Sequence, residues 1–250
     1  MKSLKSYIQE KLIIKKSNYK YFPENKEELK DIILQRIEAE GNEVDLNDID
    51  VSKITDMTSL FEGTNFNGNI SEWNVSNVTD MYAMFYRCEE FNQDISNWDV
   101  SNVIEMGYMF YRCKSFNQDI SGWDVSNVTN MNAMFYGCKL FNQDISSWDV
   151  SNVTDMRYMF FGCEDFNKDI YNWDISKVKN MQAMFYGCSK FNKDISSWDV
   201  SGVNNMGYMF YRCKTFNQDI SVWDVSNVKK MNNIFIGCKI KEKYKPKFSV

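Results

Sequence analysis

Apolar and polar positions repeat along most of this chain with a period of 25 residues. The tryptophans set the register, at Trp73, Trp98, Trp123, Trp148, Trp173, Trp198 and Trp223. The cysteines keep the same step, at Cys88, Cys113, Cys138, Cys163, Cys188, Cys213 and Cys238. A degenerate unit precedes them, in which Ile49 takes the tryptophan position. A fixed period of this length predicts a solenoid, whose stacked units share a core that no single unit could form.

The unit at residues 95–116 shows which local structure the pattern predicts. Trp98, Asp99 and Val100 alternate apolar, polar and apolar, as in a strand with one buried face. The next apolar residues have the i, i+3, i+4, i+7 spacing of one helix face, at Met106, Met109, Phe110 and Cys113. Each unit is therefore predicted to be a strand, a turn and a short helix. Stacking such units predicts a right-handed α/β solenoid with a parallel sheet.

The predicted helix of each unit ends at a variable position. Glycine stands there in four units, at Gly137, Gly162, Gly187 and Gly237, as helix ends favour. Arginine takes the same position in others, at Arg87, Arg112 and Arg212. A left-handed backbone is therefore not expected to be obligatory at this position.

The two ends of the chain differ from the repeats. Asn25 followed by Glu28 has the spacing of a capping box, and Gly41 suits a helix end, so a helix over residues 26–40 is predicted to cover the first repeat. Residues 1–22 suggest a weaker helix and a linker. The predicted organisation is an N-terminal helical segment and cap at 1–48, a solenoid of about 7.5 units at 49–238, and a basic tail or cap at 239–250.

Composition and charge exclude several classes of function. The chain has no histidine, which removes the commonest acid–base catalyst and metal ligand. The seven cysteines lack CxxC spacing and occupy one structural column, so they are predicted to be small buried residues in reduced form. No metal site and no cofactor are expected. The repeats carry a net charge of −8 and the tail +4, which does not favour nucleic acid as the main partner.

An aspartate beside the tryptophan is the recurrent feature that core packing does not require. The column comprises Asp50, Asp99, Asp124, Asp149, Asp174, Asp199 and Asp224, and Asn74 interrupts it. Three interpretations of this column remain open. The aspartates could hold turns by hydrogen bonding and be solvated, or they could form an acidic face for a cationic protein partner. They could also bind Ca²⁺, although the oxygens of a flat row of carboxylates do not converge on one point as that ion requires. A second column is interpreted as loop scaffolding, at Asp94, Asp119, Asp144, Asp169, Asp194 and Asp219.

The repeated phrase I-x-x-W-D-V-S-N-V-T-D-M-x-x-M-F-x-x-C-x-x-F-N-x-D resembles a known family. It is similar to the 25-residue repeat of BspA-like bacterial surface proteins, also known as a mycoplasma repeat of unknown function and grouped with leucine-rich repeats. The resemblance covers residues 49–238, and residues 25–49 are similar to the cap that often precedes such repeats. It implies a leucine-rich-repeat-like solenoid and, for many members, adhesion at the cell surface.

Together these observations predict a non-enzymatic protein-interaction or adhesion scaffold. A protein partner would bind the concave strand face through Asp99, Asp124, Asp149, Asp174, Asp199 and Asp224. The alternative is a purely structural component of a surface layer or virion. Catalysis is not expected, because identical columns give every carboxylate the same environment, whereas paired-carboxylate enzymes need two different ones.

The expected location follows from the segments that the sequence lacks. No apolar run is long enough for a membrane span, and the N-terminus does not resemble a signal peptide. A cytoplasmic or particle-associated monomer is therefore expected rather than a classically secreted protein.

Overall fold

The computed structural model describes residues 18–248, and the predicted weak helix within residues 1–22 lies mostly outside them. Within this range, none of the helices combines the length and the apolar character that crossing a membrane requires. Between residues 18 and 248, the regular elements are one α-helix, α1 (Lys26–Glu40), and one turn of 3₁₀ helix at Glu242–Tyr244. Everything between them is a stack of turns joined by isolated parallel bridges, from Asp56–Asp80 through to Asn205–Lys230.

Helix α1 begins and ends where the sequence predicts. The Asn25 side chain accepts a hydrogen bond from the backbone N–H of Glu28, and Gly41 ends the helix with a φ of 91°. Leu29 and Ile33 are fully buried against the core of the stack. The helix therefore covers the apolar end of the first unit, as a terminal cap must.

Contacts from α1 to the first unit are also polar. The Lys26 ammonium lies 2.7 Å from Oδ2 of Asp56 and 2.6 Å from Oγ1 of Thr58. The Lys30 ammonium donates to the carbonyl oxygen of Ser59 at 3.0 Å. Two lysines of the cap thus lie against the first turn segment of the stack.

The predicted strand at Trp98–Val100 and its equivalents is wrong, because these residues lie between two tight turns. The N–H of Trp98 donates to the carbonyl oxygen of Ile95, and that of Val103 donates to that of Val100. The alternation of burial is nonetheless correct, since Trp98 and Val100 are buried and Asp99 is exposed. The pattern identified the buried face but not the backbone conformation.

The predicted short helix is also wrong, and the inter-unit hydrogen bonds run there instead. We call residues 106–112 and their equivalents the ladder segment. In one unit the N–H groups of Met131, Ala133, Phe135 and Gly137 donate to carbonyl oxygens of the next unit at 3.2, 2.9, 2.9 and 2.6 Å. A helix would need these N–H groups for bonds within its own segment. The predicted parallel sheet is therefore replaced by a ladder of successive turns.

Left-handed residues prevent helix formation in every ladder segment. Tyr108 and Arg112 have φ of 58° and 61°, and Ala133 and Gly137 have 53° and 73°. The expectation that a left-handed backbone is not obligatory at this position is wrong, because Arg87, Arg112 and Arg212 adopt it as the glycines do. One left-handed residue in every four breaks the α-helical hydrogen-bond pattern and turns alternate N–H groups toward the next unit.

The core consists of columns of identical side chains. Phe85, Phe110 and Phe135 stack with ring centroids 5.6 and 5.7 Å apart, and the Trp73 and Trp98 indoles are 6.4 Å apart and nearly parallel. Each indole N–H donates to a carbonyl oxygen of the preceding unit, for example Trp123 to Ile95 at 3.1 Å. The tryptophan, methionine, phenylalanine and cysteine columns are thus buried as the repeat predicts.

The C-terminal residues pack on the last unit. Ile240 is buried, and Tyr244 and Phe248 are partly buried against the core. The carbonyl oxygen of Tyr244 accepts a hydrogen bond from the N–H of Ile220 at 3.0 Å. The basic tail therefore closes part of the C-terminal end of the stack.

Candidate functional site: the aspartate face

The aspartates beside the tryptophans form an exposed column, and we call the surface that they line the aspartate face. In each unit one carboxylate oxygen, Oδ1, accepts a hydrogen bond from the backbone N–H two residues later, as from Ser101 to Asp99 at 3.1 Å and from Ser126 to Asp124 at 3.0 Å. The same bond recurs at Asp149, Asp174, Asp199 and Asp224. The residue type therefore has a structural reason, since an Asx turn needs this acceptor.

The second carboxylate oxygen remains available. Within residues 18–248, no hydrogen bond reaches Oδ2 of Asp99, Asp124, Asp149, Asp174, Asp199 or Asp224, and all six residues are exposed. Each unit thus presents one charged oxygen to solvent in the same orientation. The turn determines where the carboxylate lies without consuming its capacity to bind.

Local hydrogen bonds favour the charged form of four carboxylates in this column. Bonds from the side chain and backbone of Ser126 lower the pKa of Asp124, although the neighbouring charge of Asp149 raises it. The pKa values of Asp149, Asp199 and Asp224 are lowered for the same reason, by Ser151, Ser201 and Ser226. The turns therefore favour the charged form of these four carboxylates.

Rigid residues support the aspartate face from below. Trp98, Trp123 and Trp148 flank the aspartates and are each 3 % exposed. Their indole N–H groups are bonded to the preceding unit, at 3.2, 3.1 and 3.1 Å. Because the side chains beneath the face are packed and hydrogen-bonded, they lose little conformational entropy when a partner binds.

A recess lies at the N-terminal end of this face. It has a volume of about 610 Å³ and is lined by Tyr19, Asp50, Trp73, Asn74, Asn97 and Asp99, among others. Burial and the charges of Asp50 and Glu72 raise the pKa of the Tyr19 phenol. The interruption of the column by Asn74 thus coincides with the recess, where the N-terminal segment approaches the face.

Variation between units is concentrated next to the aspartates. The residue before each tryptophan is exposed and differs along the stack, as Glu72, Asn97, Gly122, Ser147, Asn172, Ser197 and Val222. A constant row of carboxylates therefore lies beside a variable row.

The second acidic column has the scaffolding role that the sequence predicts. Oδ1 of Asp94, Asp119 and Asp144 accepts from the backbone N–H of Ser96, Ser121 and Ser146 at 2.9, 2.9 and 3.0 Å. The asparagines of the same loops bridge units, since Oδ1 of Asn92 accepts from the N–H of Asn117 at 2.9 Å. These loops are thus held by their own polar side chains.

A stacked aromatic row on another surface was not among the sequence predictions. Neighbouring rings lie 4.3 to 4.7 Å apart along Tyr86, Tyr111, Tyr136, Phe161, Tyr186 and Tyr211, all of which are half-buried. The Arg87, Arg112 and Arg212 guanidinium groups lie over the rings that precede them. The sequence signal was present, because the residue after each ladder phenylalanine is aromatic in six successive units.

Six cysteines of the column are buried as predicted, and Cys238 is half-buried. The column also takes part in hydrogen bonding. The Cys113 thiol donates to the carbonyl oxygen of Phe85 at 3.0 Å, and Cys138, Cys163, Cys188 and Cys213 repeat the bond. Burial raises the pKa of the Cys88 thiol to about 11. Between residues 18 and 248, no cluster of three or more Cys, Asp or Glu side chains has the arrangement of a metal site.

The chain is weakly similar to two solved structures. One solved structure, a leucine-rich repeat protein from Eubacterium ventriosum, is 13 % identical over 82 % of this chain and 80 % of its own, with a TM-score of 0.38. A plant peptide hormone receptor, RGFR1 in complex with RGF2, is 11 % identical over 58 % of this chain and 32 % of its own, with a TM-score of 0.15. No curated protein matches.

The family described as "Mycoplasma protein of unknown function, DUF285" matches twice, at residues 33–147 and 133–247. The two matches overlap and together span the repeats and most of α1. The chain therefore belongs to this family of BspA-like repeat proteins, as its 25-residue phrase indicates.

Proposed function

We propose that this protein is a non-enzymatic interaction scaffold that binds a protein partner with a basic surface through the aspartate face. The observation that carries the proposal is the free Oδ2 oxygen in successive units, at Asp99, Asp124, Asp149, Asp174, Asp199 and Asp224. Lysine and arginine donors on the partner would reach this oxygen without breaking the turn. Adhesion to a surface protein is the form of this function that the family resemblance favours.

The structure dictates which substitution can test the aspartate face. Reversal to lysine would remove the Asx acceptor and disturb the turn together with the charge. Asparagine keeps the acceptor, and Asn74 already holds the same bond to the N–H of Ser76 at 3.3 Å. The triple variant Asp124→Asn, Asp149→Asn, Asp174→Asn therefore removes three charges and preserves the fold.

A matched control comes from the second acidic column. The triple variant Asp119→Asn, Asp144→Asn, Asp169→Asn changes the same charge in the same kind of turn, on the return loops. Wild-type protein and both variants are used to capture partners from cell extract, and captured proteins are then purified and titrated directly. The expected result is a basic partner bound by wild type and control and at least about tenfold more weakly by the aspartate-face variant.

Wild-type affinity in both variants would contradict the aspartate face as the binding surface. Loss of binding in both would indicate a response to net charge alone. Self-assembly of the purified protein into sheets or filaments, unchanged in either variant, would instead favour the purely structural alternative.

A further inference from the structure

The ladder segments join the units with a consistent direction. The N–H groups of Met206, Tyr208, Phe210 and Arg212 donate to Lys230, Asn232, Ile234 and Ile236 at 2.8, 2.9, 3.0 and 2.8 Å. All four donors point toward the C-terminal end of the stack, whereas the carbonyl oxygens of alternate residues point back to the preceding unit. In a β-strand, by contrast, each edge displays donors and acceptors in turn. Repeated turns with a left-handed residue in every four produce this one-sided pattern.

The last ladder segment consequently ends the stack with a row of donors. We call residues 231–237 the C-terminal edge. Within the described part of the chain, the N–H groups of Met231, Asn233, Phe235 and Gly237 donate to no acceptor. Asn233 and Gly237 have φ of 57° and 72°, like Tyr208 and Arg212 at 61° and 60°. The edge therefore already has the conformation that binds a following segment in the inner units.

The tail does not cover the C-terminal edge. Its buried contacts, made by Ile240, Tyr244 and Phe248, lie on the core. Met231 is 38 % exposed, whereas the equivalent Met206 is 1 % exposed, and Ile236 is 51 % exposed. The edge thus combines four free donors with exposed apolar side chains.

The charges around the C-terminal edge select for an acidic occupant. The Lys245 ammonium lies 5.6 Å from the centroid of the Phe235 ring but is paired with Glu242 at 2.6 Å. Lys230 precedes the edge and Lys239 follows it. A row of backbone N–H groups in turn conformation attracts anions, and these lysines strengthen that attraction. Two other occupants fit poorly. In a second copy, α1 lies beside the first ladder segment, with Lys26 at the side chains of Asp56 and Thr58 and Lys30 at the carbonyl oxygen of Ser59. Residues 1–17 are basic, with five lysines and one glutamate.

We propose that the C-terminal edge binds an acidic segment of a partner protein that adopts the turn conformation of the inner ladder segments. Carbonyl oxygens of alternate residues of that segment would accept from the N–H groups of Met231, Asn233, Phe235 and Gly237. Its carboxylates would lie near Lys230 and Lys239, and its apolar side chains would cover Met231 and Ile236. This is recognition by addition of a segment to an open backbone edge. It concerns a different surface from the aspartate face and does not depend on the function proposed there.

The chain itself provides a probe for this edge. Residues 55–64, TDMTSLFEGT, form the first ladder segment, and the carbonyl oxygens of Asp56, Thr58, Leu60 and Glu62 occupy the acceptor positions. A capped peptide of this sequence carries two negative charges and no positive one. It is titrated into isotope-labelled full-length protein while backbone amide signals and their exchange rates are followed by NMR.

The expected result is localised to the edge. The amide signals of Met231, Asn233, Phe235 and Gly237 shift in a saturable manner, and their hydrogen exchange slows by at least about tenfold. A peptide with Asp56→Asn and Glu62→Gln binds at least about tenfold more weakly. The protein variant Lys230→Glu, Lys239→Glu loses binding by a similar factor, whereas the control Lys168→Glu, Lys193→Glu, on the return loops, binds as wild type.

Three outcomes would overturn the proposal. One is no saturable binding of the peptide at millimolar concentration, in which case the lysines act only to keep the edge from pairing. Another is binding in which the four amide signals do not move. The third is equal weakening by both lysine variants, which would indicate attraction by net charge without a defined site.

Discussion

Three polar side chains in a typical unit serve as acceptors for the backbone two residues ahead. In the second full unit these are Asp94, Asp99 and Glu105, which bond to the N–H groups of Ser96, Ser101 and Gly107. Much of the acidity of the repeats therefore has a local cause, because turns without regular hydrogen bonds need side-chain acceptors. At the residue scale, the turn uses Oδ1 of each exposed aspartate, and Oδ2 is the oxygen that can accept a hydrogen bond from a partner.

Glu105 is the acidic turn residue whose environment disfavours its charge. Burial raises its pKa, with further increases from Asp80 and Asp155, and bonds from Gly107 and Asn130 only partly offset this. A raised pKa in the folded state means that ionisation costs stability as pH rises above the unfolded pKa. Glu105→Gln should therefore be at least as stable as wild type at pH 7, with an equal or higher urea midpoint, and the difference should shrink by pH 4. A clear loss of stability at pH 7 would contradict this explanation.

Trp123 tests the hydrogen bonds that run through the core. Trp123→Phe removes the indole donor to the carbonyl oxygen of Ile95, which keeps only its bond from the N–H of Trp98, and leaves a cavity beside the smaller ring. We expect the free energy of unfolding to fall by about 2–4 kcal/mol, measured by urea titration followed by circular dichroism. A loss below about 0.5 kcal/mol would show that neither this hydrogen bond nor the larger ring stabilises the core measurably.

At the element scale, one apolar spacing is compatible with two structures. Met106, Met109, Phe110 and Cys113 are all fully buried, as a helix face would be. A series of turns with i to i+3 hydrogen bonds buries the same positions, for example through Met109 to Met106 and Cys113 to Phe110. The left-handed residues between them favour the turns, and tyrosine, alanine and arginine adopt this conformation because the next unit binds the N–H groups that it exposes.

The left-handed positions predict that alanine substitution at two glycines has different effects on stability. Gly162 has a φ of 70°, and a Cβ added there would come no closer than 3.8 Å to its nearest neighbour, so Gly162→Ala should cost about 1 kcal/mol through backbone conformation alone. Gly122 has no neighbour within 4 Å of an added Cβ and no positive φ, so Gly122→Ala should be neutral or stabilising by a few tenths of a kcal/mol. Urea midpoints of the two variants measure the difference. Equal midpoints would contradict a backbone cost at Gly162.

At the scale of the whole molecule, the two ends of the stack are unlike. The N-terminal end is covered by α1, whose Lys30 bonds a carbonyl oxygen, and the C-terminal edge leaves its N–H donors open. The aspartate face is negative and runs along the stack, while the C-terminal edge is surrounded by lysines. One chain thus carries two surfaces of opposite charge.

Acid should destabilise the whole stack cooperatively. The pKa values of Asp94, Asp119, Asp124, Asp144, Asp149, Asp199, Asp219 and Asp224 are lowered by their turn hydrogen bonds. Because a lowered pKa favours the folded state above the unfolded pKa of about 3.9, this stabilisation is complete near pH 6 and is lost as pH falls through the folded values. The urea midpoint should therefore be constant from pH 7 to 6 and drop steeply below about pH 4. A midpoint unchanged at pH 3 would contradict the role of the turns.

The sequence alone determined the repeat, its register, the buried columns, the helix at residues 26–40 and the family, because each depends on which side chains avoid water or cap a helix locally. It did not determine the backbone of the unit, because the apolar spacing fits turns and helix alike and the choice depends on hydrogen bonds to a neighbouring unit. Only the tertiary structure showed that the N–H groups of the ladder segments point one way and that the aspartates hold their turns with one oxygen. Both facts arise between or around units, where no pattern along the chain records the direction of a bond.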